Sequence, residues 1–162
     1  MSVNYSITQN FPVADHVYKY LITCCGSDHI VATRNDHIGS LVLSLQNRNE
    51  DIRTVDHKYT KIFKVTISES HYQKLGLHIT PATAQLFNDQ VDRKFRDELF
   101  RTVLLVKQMH RSTYLKSIRK FLDAYKIDEE DIKLDTLYRD FKRKKEDLKR
   151  KLNLTPSNGD NL

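Results

Sequence analysis

Residues 80–110 read TPATAQLFNDQVDRKFRDELFRTVLLVKQMH, and this stretch decides the fold. Thr80 can act as an N-cap, and Pro81 suits the first helical position, where its missing N–H costs nothing. Phe87, Val91, Phe95 and Leu99 follow at four-residue steps, then Val103, Val106 and His110. The spacing predicts one helix of about 30 residues, about 45 Å long at 1.5 Å per residue. Its apolar stripe must face other protein, which makes this helix the expected spine of the molecule.

Downstream, Ser112 restarts a second helix with Tyr114, Ile118, Phe121, Leu122 and Tyr125 on one side. Residues 127–134 (IDEEDIKL) form an acidic connection. Its Glu129, Glu130 and Asp131 could bind a cation, but they fit better as negative charge at a helix start, where the dipole favours it. Asp135 caps a third helix carrying Leu137, Phe141, Leu148 and Leu152 on an otherwise charged surface. That stripe is too thin for a helix stable alone, so the helix must pack on the first two, extend a neighbour or order on a partner. Residues 153–162 (NLTPSNGDNL) read as a disordered tail.

Upstream, residues 59–67 alternate, with Phe63, Val65 and Ile67 on one face, and give the best strand in the chain. Ser68 can cap a short helix that stops at Gly76, and residues 46–58 read as a polar loop. Asp36 offers an N-cap to a helix with Ile38, Leu41, Val42 and Leu45 on one stripe. Residues 29–33 (HIVAT) read as a short strand. Residues 15–25 (DHVYKYLITCC) combine a helical period at Val17, Leu21 and Cys24 with good strand formers. The balance favours helix, with Asp15 as cap and Gly26 as stop. Residues 1–14 read as a polar N-terminal arm. The expected fold is therefore α+β and mostly helical. A small N-terminal α/β unit at 15–80 precedes a three-helix C-terminal region at 81–152 with one long helix.

Composition limits the function classes. A chain of 162 residues, 39% hydrophobic and 30% charged, holds one domain, or one small domain with a helical extension. With 4 Gly and 3 Pro it has little material for a many-turned β protein. No GxGxxG or GxxxxGK[ST] occurs, which argues against a dinucleotide-binding or P-loop enzyme. No apolar run is long enough to span a membrane, and the N-terminus has no basic start with an apolar core, so neither anchor nor signal peptide is expected. Cys24 and Cys25 are adjacent and have no third cysteine to pair with. A reduced, cytoplasmic protein is expected. No nucleophile elbow, kinase set or paired-carboxylate motif stands out, so no catalytic residue and no cofactor is expected. Cys24, Cys25 and His29, with His16 and His37 nearby, lack the spacing of a zinc site, so no metal is expected either.

Charge points in one direction. The net charge is +6, yet residues 1–80 hold 8 Lys and Arg against 7 Asp and Glu, while residues 81–162 hold 19 against 14. The run 142–151 (KRKKEDLKRK) has 7 basic and 2 acidic residues and so supplies most of the surplus. Six of the seven histidines lie in the first 80 residues, so the halves differ in composition and, we expect, in role. Arg139, Lys142, Arg143, Lys145, Lys149 and Arg150 are the candidate contacts to the phosphates of DNA or RNA. Helices 112–126 and 135–152 could act as a helix-turn-helix-like pair, although their connection is long for that motif. Asp140, Glu146 and Asp147 interrupt the positive face. The competing reading is a solvated helix face laced with pairs such as Asp147 with Lys151. Tyr114, Tyr125, Tyr138 and Phe141 could stack on bases if exposed, but Phe121, Phe141 and Tyr125 fit better as core.

Short stretches carry a resemblance. YKYL at 18–21 and RNDHIG at 34–39 precede Phe87-Asn88 on the long amphipathic helix. IRKFLDAYKIDEEDI at 118–132 then leads into the basic terminal helix. Over roughly 15–145 the chain resembles small accessory proteins carried by phages and conjugative elements of gut bacteria. The resemblance implies a non-enzymatic role in mobile-element replication, regulation or assembly, and it transfers no catalytic residue.

Two functions follow as expectations. The first is a nucleic-acid-binding or accessory protein acting through its last helix. The second is a protein-interaction module that pairs through the long helix with a copy of itself, as a homo-oligomer, or with a partner. A contiguous positive surface on the last two helices favours the first, and an exposed apolar seam favours the second.

Overall fold

The structure, a computed structural model, describes residues 5–46, 58–76 and 79–154. The element order is β1 (Ser6–Val13), α1 (Asp15–Cys25), β2 (His29–Val31), α2 (His37–Ser44), β3 (Lys61–Ser68), α3 (Glu69–Leu75), α4 (Pro81–Met109), α5 (Tyr114–Ala124) and α6 (Leu134–Leu154). The fold is α+β and mostly helical, with the small sheet on the N-terminal side and the long helix following it. Most of the polar loop expected at 46–58 lies outside the described residues. So does the tail expected at 153–162, except that Asn153 and Leu154 still belong to α6.

The first correction concerns the arm. Residues 6–13 form a strand that pairs antiparallel with β3 along its whole length, Ser6 opposite Ser68 and Phe11 opposite Phe63. β2 joins the other side of β3 in parallel, with Ile30 opposite Val65, so the order is β1-β3-β2. The strand has a weak local signature because its outward positions Ser6, Thr8 and Asn10 are polar and its inward set, Ile7, Gln9, Phe11 and Val13, includes a polar residue. Gln9, Phe11 and Val13 are nevertheless all buried. Phe11 stacks at 4.6 Å between ring centroids on Phe87 of α4. Across the strands, Phe63, Val65 and Ile67 of β3 turn inward as their alternation requires.

Local capping mostly follows the sequence. Thr80 accepts from the Thr83 N–H at 3.1 Å, and Asp36 accepts from the Gly39 N–H at 2.5 Å. Gly39 has to be small, since a Cβ there would lie 2.5 Å from the Thr33 backbone nitrogen. Residues 15–25 are helical, and Gly26 ends them in the left-handed conformation at φ 71°. Three starts differ from expectation, two by one residue and the third by two. Ala14, not Asp15, holds the N-cap position of α1, and its N–H donates to Asn88 of α4 at 2.9 Å. Thr113, not Ser112, caps α5, and α6 begins at Leu134, which puts Asp135 in its first turn. Ser68 stands at the N-cap of α3, but its hydroxyl bonds the His71 Nδ1 at 2.8 Å instead of a backbone N–H.

One buried cluster runs from Phe11 through Phe95 to Phe141, so the core crosses the expected division at residue 80. Phe87, Val91, Phe95, Leu99 and Val103 of α4 are all essentially inaccessible. Phe95 is the hub, with ring centroids 5.5 Å from Tyr20 of α1 and 5.8 Å from Phe121 of α5. Leu134, Leu137 and Phe141 close the cluster from α6, and Phe141 lies 5.3 Å from Phe100 and 5.0 Å from Tyr114. No helix among the described residues is long and apolar enough to cross a membrane.

Candidate nucleic-acid interface

The geometry of the basic helix is set by what anchors its first half. Leu137 and Phe141 fix its rotation, and two cross-helix ion pairs fix its flank. Arg96 of α4 bridges Asp92 at 2.8 Å and also pairs with Asp140 of α6. Lys144 of α6 reaches Asp97 of α4 at 2.5 Å. Asp92 also accepts from His16 Nε2 of α1 at 2.7 Å, so a chain of polar contacts links α1, α4 and α6. Burial alone would raise the Asp92 carboxyl, but the hydrogen bonds from His16 and Arg96 outweigh it and hold the group below the usual carboxylate range.

The acidic connection has a structural task. Lys19 of α1 binds Asp131 at 2.5 Å and Asp128 at 3.2 Å, and Asp131 also accepts from the Asp128 N–H at 2.9 Å. This corrects the assignment of Asp131 to the start of a helix: its carboxylate instead staples the α5–α6 connection to α1. Lys126, at φ 56°, turns the chain just before Ile127 inserts into the core.

With α6 so held, five of the six candidate residues are exposed: Arg139, Lys142, Arg143, Lys149 and Arg150. At about 100° per residue, Arg139, Arg143 and Arg150 fall within about 40° of one another, and Lys142 and Lys149 share a neighbouring strip. Their intramolecular contacts are loose. Arg143 donates to Asp140 at 3.1 Å, and Arg150 lies 3.8 Å from Asp147, both with side chains more than 70% exposed. Such surface pairs hold little free energy and leave the guanidinium groups available. Lys142 sits over the Tyr138 ring at 4.3 Å.

The sixth candidate differs. Lys145 points to α5, where it donates to the Tyr114 hydroxyl at 2.8 Å and covers its ring at 4.2 Å. The hydrogen bond from Lys145, reinforced by Lys107 and Lys149, holds the Tyr114 phenol below its usual range. Lys107, at the end of α4, lies 5.6 Å from the same ring and extends the positive field beyond α6. Only its closeness to Tyr114 across the α4–α5 turn reveals it. Phe121 and Phe141 are buried, and Tyr125 is half-buried with its hydroxyl on Glu98, so these three serve the core and not base stacking.

The apolar seam that would favour the interaction reading is short. On α4 the stripe is consumed within the chain, leaving Leu105 and Met109 near its end at 58% and 76% exposed. On α6, Leu148 and Leu152 are 40% and 66% exposed. Among the described residues no three histidine, cysteine, aspartate or glutamate side chains converge on a point that could hold a metal ion. Comparison with protein-family models, with curated proteins and with solved structures found no match to this chain.

Proposed function

We propose that the protein binds nucleic acid through the outward face of α6, contacting phosphates and not bases. The observation that carries this reading is the exposure of Arg139, Lys142, Arg143, Lys149 and Arg150 on a helix anchored in the core through the first half of its opposite face. The strip from Arg139 to Arg150 is about 16 Å long at 1.5 Å per residue, enough to follow several phosphates. The role is non-enzymatic and cytoplasmic. The further setting, an accessory protein of a phage or mobile element, rests on the resemblance at 18–21, 34–39 and 118–132 alone.

The test is a salt titration of binding to a labelled duplex and to a labelled single strand. Neutralising about five phosphates predicts a slope of log K against log salt near −4.5 for duplex DNA. Changing Lys142 and Arg143 to Glu should weaken binding while the circular dichroism spectrum stays unchanged. A wild type that binds neither DNA nor RNA at low salt would overturn the reading.

A second reading, an interaction module, is favoured by one observation: the exposed leucines and methionine near the ends of α4 and α6. It predicts a mass that depends on concentration in sedimentation equilibrium and is lowered by Leu152→Asp.

A further inference from the structure

Beyond the contact of Asp97 with Lys144 of α6, the flank of α4 borders a cleft that no part of the proposed function uses. A groove of about 410 Å³ runs along Arg93, Lys94, Asp97, Glu98 and Arg101, with His37 of α2 on its other wall. A second cavity of about 400 Å³ reaches Cys24 and Cys25 of α1, Ile30 of β2 and Ile38 of α2. His37 and Lys94 line both, so the two spaces share a wall. Each is within the size range of small-molecule sites.

The two compartments differ in chemistry. In the groove, Asp97 is neutralised by Lys144 at 2.5 Å. Glu98 is engaged by two phenols, accepting from Tyr20 at 2.6 Å and also from Tyr125. Arg93, Lys94 and Arg101 meet no carboxylate at ion-pair distance among the described residues. Three cations therefore stand against one carboxylate that no cation neutralises. In the second cavity, Asp36 is committed to the Gly39 N–H and the Thr33 hydroxyl. The Cys24 thiol, which is exposed, and the half-buried Cys25 thiol line this cavity beside Ile30 and Ile38, and partial desolvation pushes both thiols up. The result is a cationic trough joined to a pouch whose wall carries the Asp36 carboxylate beside two thiols and two isoleucines.

We infer that this cleft binds a small molecule carrying two or more phosphoryl groups, of the nucleoside diphosphate type, with its phosphates on Arg93, Lys94 and Arg101 and its base toward Cys24, Cys25 and Ile38. Lys94 and Arg101 are seven residues apart, about 10 Å along the helix, which suits a chain of phosphoryl groups better than a single one. Arginine's planar fork binds phosphate oxygens in pairs, and the pouch, with the Asp36 carboxylate on its wall, suits a flat ring that carries an amino donor.

The thiols report occupancy directly. With ADP as the probe, iodoacetamide alkylation of Cys24 and Cys25 is followed by mass spectrometry at mildly alkaline pH. ADP at about ten times its Kd should slow alkylation on the order of tenfold, since bound protein is removed from the reactive pool. Adenosine, which lacks phosphates, should protect far less. Arg101→Glu, at an exposed position, should abolish protection with an unchanged melting temperature, and Lys94→Glu should do the same. Equal alkylation with and without ADP overturns the inference, as does protection that survives both substitutions. Protection by duplex DNA but not by ADP also overturns it, because the cleft would then belong to the nucleic-acid surface.

Discussion

The two halves of α6 share one helix and one phase, yet they have opposite fates. Leu137 and Phe141 lie within about 60° of Leu148 and Leu152 at 100° per residue. The first pair is 1% and 2% exposed, whereas the second is 40% and 66% exposed. What differs is the neighbour. Leu137 and Phe141 meet the stretch of α4 around Leu99 and Phe100, and the start of α5 at Tyr114. Past Lys145 no described element covers the stripe to the same depth. Amphipathic spacing thus marks the face a helix can bury, and the availability of a surface decides how much of it is buried.

The contrast can be broken most severely at Phe141. Its replacement by Ala should cost about 3–5 kcal/mol in urea unfolding, because the side chain is fully buried among rings. A loss under about half a kcal/mol would mean that α6 does not dock through this residue.

Arg96→Met should cost less, about 1–2 kcal/mol, since it leaves the partly buried Asp92 and Asp140 without their shared donor. The double-mutant cycle with Asp140→Asn should show coupling, whereas additive losses would mean that the bridge does not hold α6.

Acid probes the same anchor. The Asp92 carboxyl lies below its ordinary value in the folded state, so its contribution is present above the unfolded value of about 3.9 and lost as pH falls through the folded value. Stability should therefore decline below about pH 4. Asp92→Asn should flatten that decline in chemical denaturation followed against pH. An unchanged acid slope would place the titrating group elsewhere.

The smallest effect is expected in the projecting half. Leu152→Ala should change stability by less than about 0.5 kcal/mol, as surface substitutions do. A loss several times larger, measured at a concentration where the protein self-associates, would show that a second chain covers the seam and would favour the interaction reading.

Legibility followed the strength of local signals. Four-residue apolar steps, a Thr-Pro start and an Asp cap made α4 and α2 readable, and strict alternation made β3 readable. β1 was not, because half of its residues are polar and it is defined by its partner: Phe11 and Val13 become a buried face only once β3 lies alongside. The cap shifts at Ala14 and Thr113 are of the same kind. Asn88, distant in sequence, takes the Ala14 N–H, which no local pattern reveals. For the basic face, composition located the residues but not their directions. Lys144 and Lys145 are as basic as their neighbours, yet Asp97 and Tyr114 draw them inward. Arg93, Lys94 and Arg101 lie about 100° or more around α4 from the centre of its apolar stripe and could have been found by helical phase, but only His37 and the two thiols across from them turn that face into a cleft.

The element types other than β1, the long spine and the concentration of positive charge at the end of the chain were legible in the sequence, because helical period, capping and net charge are local or additive properties. The tertiary structure alone decided that the first strand joins the sheet, that the acidic connection is stapled by Lys19 and that half of α6 remains uncovered. Each of these depends on groups tens of residues apart meeting in space, and an ion pair or a buried ring acquires its energy only from that meeting.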